Sequence, residues 1–441
     1  MDSKDATERQ QKLTDLGTNL NPRPVSDTFP VKRWRTKKGS RVAFYQSSEV
    51  PMLNIHVAFA AGSGYDGKHF GLSALTTALI NQGNAGLSET AIAKKLADVG
   101  AQFDKRSGRD QAVFSLKTLS SAAELNKAVD TFGLILGKPD FVTKSVQREL
   151  KQQLTALIRS QEVPEELANM ALFQKLYGTH PYAHSILGNP ESLRKMTTQD
   201  IQSFYKKHFV ASNAVVVIVG DVSQERATRI AEQLTQYLPQ GEPTALLPDV
   251  VPIATEKNET VKIPFPSKQT LLRLGQIGID HRSRDYFDLT VGNYILGGGT
   301  LVSRLSNEVR EKRGLSYGVG SQWIPMMKEG PFLISLATQA SQAKTALKIT
   351  QETVARFVEQ GPSETELQAA KKYLCGSFPV LLSSNANIAQ VLLQATFYGL
   401  PNNYLETYRA RVNAVTVASI QKALKKHLFP EKMLLVAVGE P

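Results

Sequence analysis

One order of segments is written twice along this chain, and that duplication limits the fold more than any other feature. The first copy opens with alternating residues, Leu53-Asn54-Ile55-His56-Val57-Ala58-Phe59, the pattern of a strand with one buried face. A glycine-containing turn leads to a helix over about 71–80. A second helix, about 88–99, starts at Ser88-Glu89, an N-cap with a first-turn carboxylate, and closes at Gly100. A strand at 111–116 follows, then helices around 121–137, 143–160, 164–177 and 197–209. A very apolar strand at 214–219 ends at Gly220-Asp221, and a helix over about 223–238 completes the copy.

The second copy keeps this order. It has a strand at 269–276, a helix at 285–296, a second helix at 303–312 closed by Gly314, and strands at 317–323 and 332–338. Helices follow at about 341–359, 363–374, 385–398, 402–412 and 416–427. The strand at 434–438 runs into Gly439 much as 215–219 runs into Gly220. Two copies of roughly 200 residues mean tandem duplication rather than a short-period solenoid. The expected units are 30–240 and 260–441, joined by a Pro-rich, polar linker at 241–259, with residues 1–29 as a mobile tail. Strands separated by several helices, with returns that suit antiparallel pairing, predict α+β domains whose helices cover one face of each sheet.

Composition removes several function classes. No run approaches the roughly 20 apolar residues of a membrane span. The net charge of +12 comes from scattered residues with only short clusters such as Lys32-Arg33, Lys37-Lys38 and Lys425-Lys426. No nucleic-acid module accompanies them, so solvated surface charge is the expectation and a nucleic-acid partner is not. The single cysteine, Cys375, excludes an internal disulfide and a cysteine-rich metal site. Residues 1–28 are polar and charged from the start and carry no signal-peptide pattern. A mature periplasmic chain is expected ahead of a cytoplasmic one.

The first candidate site is defined by what it lacks. Residues 71–79 read Gly-Leu-Ser-Ala-Leu-Thr-Thr-Ala-Leu after the strand-like segment that ends Ala60-Ala61-Gly62-Ser63-Gly64. This layout resembles the active-site helix of the pitrilysin-like (inverzincin) zinc peptidases, G-L-A-H-F-L-E-H-M. The resemblance puts the family's two histidine ligands on Ala74 and Ala78 and its catalytic glutamate on Thr77. Two imidazoles one helical turn apart hold the metal, and the carboxylate activates its water. Ala, Thr and Ala can do neither. The family's third ligand, a glutamate on the helix near 143–160, would fall in the stretch 151–158, which contains no acid; Glu149 and Glu162 are the nearest. No metal is therefore expected in this chain. Among the seven histidines, His69 lacks a partner four residues on, and His180-Pro181-Tyr182-Ala183-His184 reads as a structural loop because Pro181 breaks the helix that would align its imidazoles.

The positive signal lies in the second copy. Gly297-Gly298-Gly299 precedes Ser303-Arg304-Leu305, and Arg310 is seven residues before Tyr317 in the run Arg313-Gly314-Leu315-Ser316-Tyr317. This is similar to the family segment whose arginine and tyrosine face the zinc from the opposite domain. A fixed guanidinium and phenol can bind a peptide backbone or stabilise the charge on a carbonyl under attack. The three glycines lack the lysine and spacing of a phosphate-binding loop.

The resemblance covers nearly the whole chain after about residue 30. It implies two homologous domains clasped about a pseudo-twofold axis. It further implies a zinc-free subunit similar to the non-zinc chain of two-chain processing peptidases. The partner would be a homologous subunit carrying zinc, to which Arg310 and Tyr317 are supplied in trans, and the substrate an extended peptide. The alternatives of the same fold are an inert scaffold and a peptide-binding homodimer, the latter open to the isolated chain.

Overall fold

The computed structural model describes residues 29–251 and 259–440. The expected tail, apart from Phe29, lies outside the described residues, as do 252–258 of the expected linker. Residues 241–251 carry no helix or strand.

The N-terminal half contains strands β1 (Lys32–Arg35), β2 (Arg41–Gln46), β3 (Met52–Phe59), β4 (Gln102–Ser107), β5 (Ala112–Leu119) and β6 (Ala214–Gly220). They form one sheet in the order β1-β2-β6-β3-β5-β4, with β2 parallel to β6 and every other pair antiparallel. The C-terminal half contains β7 (Thr260–Pro264), β8 (Gln269–Ile277), β9 (Val319–Trp323), β10 (Pro331–Gln339) and β11 (Leu434–Gly439). Their order is β7-β11-β8-β10-β9, with β7 parallel to β11 and the rest antiparallel. Superposing the orders matches β2 with β7, β6 with β11, β3 with β8, β5 with β10 and β4 with β9. The duplication thus extends to strand order and direction, with β1 as an addition to the first copy.

Five helices matter to the site. They are α1 (Leu72–Leu79), α2 (Glu89–Ala97), α3 (Ala122–Gly137), α4 (Thr143–Ser160) and α5 (Pro164–Tyr177). On one face of the first sheet, Leu53, Ile55, Val57, Phe59, Val216 and Ile218 meet Leu72, Leu75 and Leu79 of α1 and Val129 and Phe132 of α3 in one core. On the opposite face, Ala43, Ala58, Val113, Val215, Val217 and Val219 of β2, β3, β5 and β6 are buried beside the polar Asn54 and His56 of β3, and the other half covers them. Ile388, Leu392, Leu393 and Phe397 of the helix Asn385–Phe397 lie there. The second sheet is covered reciprocally. Its Leu271, Leu333, Leu434, Val436 and Val438 pack on Ala168, Leu172 and Leu176 of α5 from the first half. Each sheet therefore has helices on both faces, one layer its own and one lent by its partner, where the sequence predicts a single layer. Strand β6 is buried at every position, and this exchange is the reason.

Several expected elements differ in detail. Strands β1, β2, β4 and β7 and the short helix Pro190–Lys195 escape the sequence reading. In β4 the run Gln-Phe-Asp-Lys-Arg-Ser alternates exposed and half-buried residues and carries three charges, the composition of an edge strand. The helix expected at 303–312 is wound as a π-helix over Ser306–Glu311, and a similar turn spans Tyr294–Gly298. The strand expected from Tyr317 begins at Val319. The helix expected to end at 374 continues through Gly376 and Pro379 to Leu381, because Phe378 and Leu382 are anchored in the contact with the first sheet.

Candidate functional site

Helix α1 is positioned by a buried carboxylate. Asp66 accepts the backbone N–H of Gly71 and of Ser73, both at 2.7 Å, at the start of the helix. Burial pushes its carboxyl well above the usual carboxylate range, and those two N–H groups pull it back. Leu72, Leu75 and Leu79 point into the core and leave Ala74 and Ala78 one turn apart on a half-buried face. Thr77 is 3% exposed, and its hydroxyl has no partner among the described residues.

A cation from the protein reaches the end of this helix. Lys105 on β4 donates to the Ala78 carbonyl and, at 2.6 Å, to Asn81 Oδ1. Cations at a helix C-terminus offset its unpaired carbonyls. Burial lowers the lysine's pKa, while Glu149, Glu89 and Asp104 act against that shift. Beside it, Arg148 of α4 donates to Gln82 Oε1, to Glu89 at 2.8 Å and to Glu149 at 3.4 Å. Gln153, in the stretch where the third ligand would fall, is buried and donates to the carbonyls of Gly71 and Leu187, both at 3.0 Å. Side chains of this kind do not fit a catalytic zinc: two methyl groups, one buried hydroxyl, a tethered amide and an ammonium. Among the described residues no three His, Cys, Asp or Glu side chains are grouped to hold a metal ion.

Arg310 and Tyr317 line one pocket, and local rather than long-range forces put them there. The π-helical turn that carries Arg310 ends where the Gly314 N–H bonds the Arg310 carbonyl at 2.8 Å. Gly314 has φ +62°, a left-handed conformation that closes a helix without a Cβ penalty. Ser316 then fixes the following turn. Its hydroxyl lies 2.6 and 2.8 Å from the Gly318 and Ala337 carbonyl oxygens, which share its one proton, and it accepts the Gly318 N–H. Leu315 is buried beneath, and Tyr317 is thrown outward, 88% exposed. Arg310 is half-exposed, with Glu311 at 3.6 Å as its ion-pair neighbour. Both residues line a pocket of about 250 Å³ together with Gln269, Ser316, Thr338 and Gln342. Every residue of that lining belongs to the C-terminal half, so the pocket does not include Ala74, Thr77 or Ala78.

The histidines settle into structural roles. His180 bonds the Pro248 carbonyl at 3.0 Å, and His184 bonds the Ser185 carbonyl at 2.9 Å and stacks on Phe70. His281 stacks on Tyr398 with ring centroids 3.7 Å apart. His180 and His184 also border a cavity of about 590 Å³ beside Phe70 and Gln174.

Sequence reading missed the residues that join the halves. Asp110 accepts from the Tyr182 hydroxyl, from the Tyr398 hydroxyl at 3.0 Å and from the Met327 N–H at 2.8 Å. One buried carboxylate thus fastens the 180–184 loop to two segments of the second half. Its neighbour Arg109 lies over the Phe173 ring, 3.8 Å from the centroid. The short Arg-Asp pair in a turn carries no periodicity, so no signal in the sequence separates it from a surface charge pair.

Comparison with known proteins finds similarity along most of the chain. Residues 41–190 match the family described as insulinase (peptidase family M16), and residues 195–374 match peptidase M16 inactive domain. The chain is 25% identical over 392 residues to the "non-peptidase homolog YmxG" of Helicobacter pylori, covering 88% of each protein. It is 24% identical over 411 residues to the "uncharacterized zinc protease YmxG" of Bacillus subtilis, covering 93% of this chain and 98% of that one. The crystal structure of a peptidase M16 inactive domain from Pseudomonas fluorescens matches with a TM-score of 0.90 and 39% identity, over 93% of this chain and 98% of that chain. A protease structure from Helicobacter pylori shares the fold, with a TM-score of 0.86, 17% identity and coverage of 94% of this chain and 100% of that one.

Proposed function

The chain belongs to peptidase family M16, and from that premise we propose that it is the zinc-free subunit of a two-chain peptidase, paired with a homologous subunit that carries the zinc motif. The observation that carries this reading is the Arg310–Tyr317 pocket. A tyrosine that is 88% exposed contributes little to the fold, yet Ser316 and Gly314 fix the turn that carries it, and it lines the same pocket as a half-exposed guanidinium. Preorganised donors of this kind suit a peptide carbonyl on which negative charge develops. The chain's own zinc-motif positions, Ala74, Thr77 and Ala78, give such donors nothing to act with, so the reacting centre would be the partner's. An extended peptide would lie against a sheet edge, for which β4 and β9 are the outer strands beside the returns.

The test is to purify this chain with a homologue bearing H-x-x-E-H and to follow hydrolysis of an unstructured peptide. Neither chain alone should turn over substrate at the rate of the pair. Arg310→Ala or Tyr317→Phe, in complexes shown to assemble, should each lower turnover by about 100-fold. Unchanged turnover in an assembled complex would remove the trans role and leave a scaffold.

A further inference from the structure

Arg273 lies on the face of the second sheet that meets the first half, among apolar side chains and the polar Ser335 and Gln322. Arg273 is 9% exposed. Its Nε donates to Ser335 Oγ at 3.0 Å, and its Nη1 donates to the Glu165 carbonyl at 3.3 Å and to Asn169 Oδ1. From the other half, Arg109 donates through Nε to the Tyr182 carbonyl at 3.1 Å and through Nη2 to the His184 carbonyl at 3.3 Å. Asn169 and Phe173, the residues that Arg273 and Arg109 touch, are one turn apart on α5. Two guanidinium groups therefore flank one helix face, with their contact residues about 6 Å apart.

Both arginines line a cavity of about 480 Å³ between the halves, with Phe173, Leu187, Ile324 and Leu333 among its apolar walls. Every acceptor they hold is neutral: carbonyl oxygens, a hydroxyl and an amide. Neither takes part in an ion pair among the described residues, and Nη1 of Arg109 and Nη2 of Arg273 have no protein partner there. Asp110 is spent on Tyr182, Tyr398 and Met327. Glu166 is the one carboxylate of the lining; it is exposed and bonds neither guanidinium. A buried guanidinium is costly without a counter-charge. Burial lowers both pKa values, that of Arg109 to about 10, while the carboxylates of Asp110 near Arg109 and of Glu165 and Glu166 near Arg273 act against that shift without bonding either guanidinium. Planar guanidinium forks with free terminal nitrogens match a planar carboxylate. The cavity's size is within the range of small-ligand sites.

We propose that this cavity is a carboxylate subsite for a bound peptide, in which Arg109 and Arg273 take one carboxylate between them and the adjoining apolar side chain lies on Phe173, Ile324 and Leu333. The carboxylate is the peptide's C-terminus or an Asp or Glu side chain. This rests on the reading that the protein binds an extended peptide.

The experiment is fluorescence anisotropy on the whole chain with three N-terminally labelled peptides of one apolar sequence. One has a free C-terminus and no acidic residue, one is its C-terminal amide, and one is the amide with a single internal Glu. The uncharged amide should bind at least about 10-fold more weakly than the better carboxylate peptide, the size of a charged hydrogen-bond pair. Which carboxylate peptide keeps the affinity identifies the source. Arg273→Gln should abolish the difference, with its melting temperature showing that it folds. Arg109→Lys, which keeps the charge but loses the fork, should reduce the difference. Glu166→Gln should tighten the carboxylate peptides. Equal binding of all three peptides, or a preference retained in Arg273→Gln, overturns the subsite and leaves peptide binding standing. Absence of binding by all three overturns peptide binding by this chain, and the subsite with it.

Discussion

Lys105 shows how the replaced motif is held at the scale of single residues. Its ammonium caps the Ala78 carbonyl and bonds Asn81, so the last turn of α1 is held by a side chain from β4. Restoring the histidines alone does not rebuild a metal site. The combined substitution Ala74→His, Thr77→Glu and Ala78→His still leaves the ammonium nearby and Gln153 tied to Gly71 and Leu187. Elemental analysis of that variant should find no stoichiometric zinc; one tightly held ion per chain would show that ligand identity was all the site lacked. Tyr317 gives the opposite kind of prediction. Because it is so exposed, Tyr317→Phe should shift unfolding free energy by no more than about 0.5 kcal/mol. A loss well above that in denaturant titration would assign the tyrosine to the fold and away from a ligand.

At the scale of elements, the two exchanged helices decide how the halves hold together. Leu172 of α5 and Leu392 of the helix Asn385–Phe397 are fully buried, each against the other half's sheet. Truncating either to alanine should cost about 2–5 kcal/mol, the range for a core leucine that leaves a cavity. Both should lower the same transition, and two separate unfolding steps in either variant would show that the halves are stable apart. The loop that delivers Leu187 has a tighter requirement. Gly188 has φ +81°, and a Cβ built there would overlap the Phe70 carbonyl and the Gly71 nitrogen. Gly188→Ala should therefore lose about 2 kcal/mol or more, because strain and collision add. A melting temperature equal to the parent would mean that the loop can move away from α1.

For the whole molecule, the exchange makes each half an incomplete domain. Residues 30–240 expressed alone would expose Ala43, Val215, Val217 and Val219 on one sheet face, a contiguous apolar surface of the kind that drives association. That fragment should aggregate or bind a hydrophobic dye, and a soluble monomer with no dye binding would contradict the interdependence. Acid should also loosen the molecule. Burial holds His56, His208 and His281 down to about 4 from 6.5, so they stay neutral in the fold. Depressed folded values mean that their stabilisation is present above pH 6.5 and is lost as pH falls toward 4. For a well-buried histidine this amounts to about 3 kcal/mol. The buried carboxyls Asp66 and Asp110 have raised values and act in the opposite sense, which makes a variant comparison the cleaner measurement. His208→Gln should reduce the slope of stability against pH between about 4 and 6.5 by about 1.4 kcal/mol per unit. An unchanged slope would mean that His208 is protonated in the folded chain.

Local pattern was sufficient for whatever depends on neighbours along the chain. The existence of β3, the N-cap at Ser88, the replaced residues Ala74, Thr77 and Ala78, and the Arg310–Tyr317 spacing are all legible there, because periodicity, capping and motif spacing are short-range properties; the one buried face expected of β3 is not what the fold has, since both its faces are buried. Tertiary structure alone decided what covers β6, since an all-apolar strand reads the same whichever helix lies on it. It alone brought Lys105 to α1 across residues that are 27 apart, and Arg273 to Asn169 and Arg109 to Phe173 on one helix face. A buried charge has no periodic signature, because its meaning depends on the groups that the rest of the fold places around it.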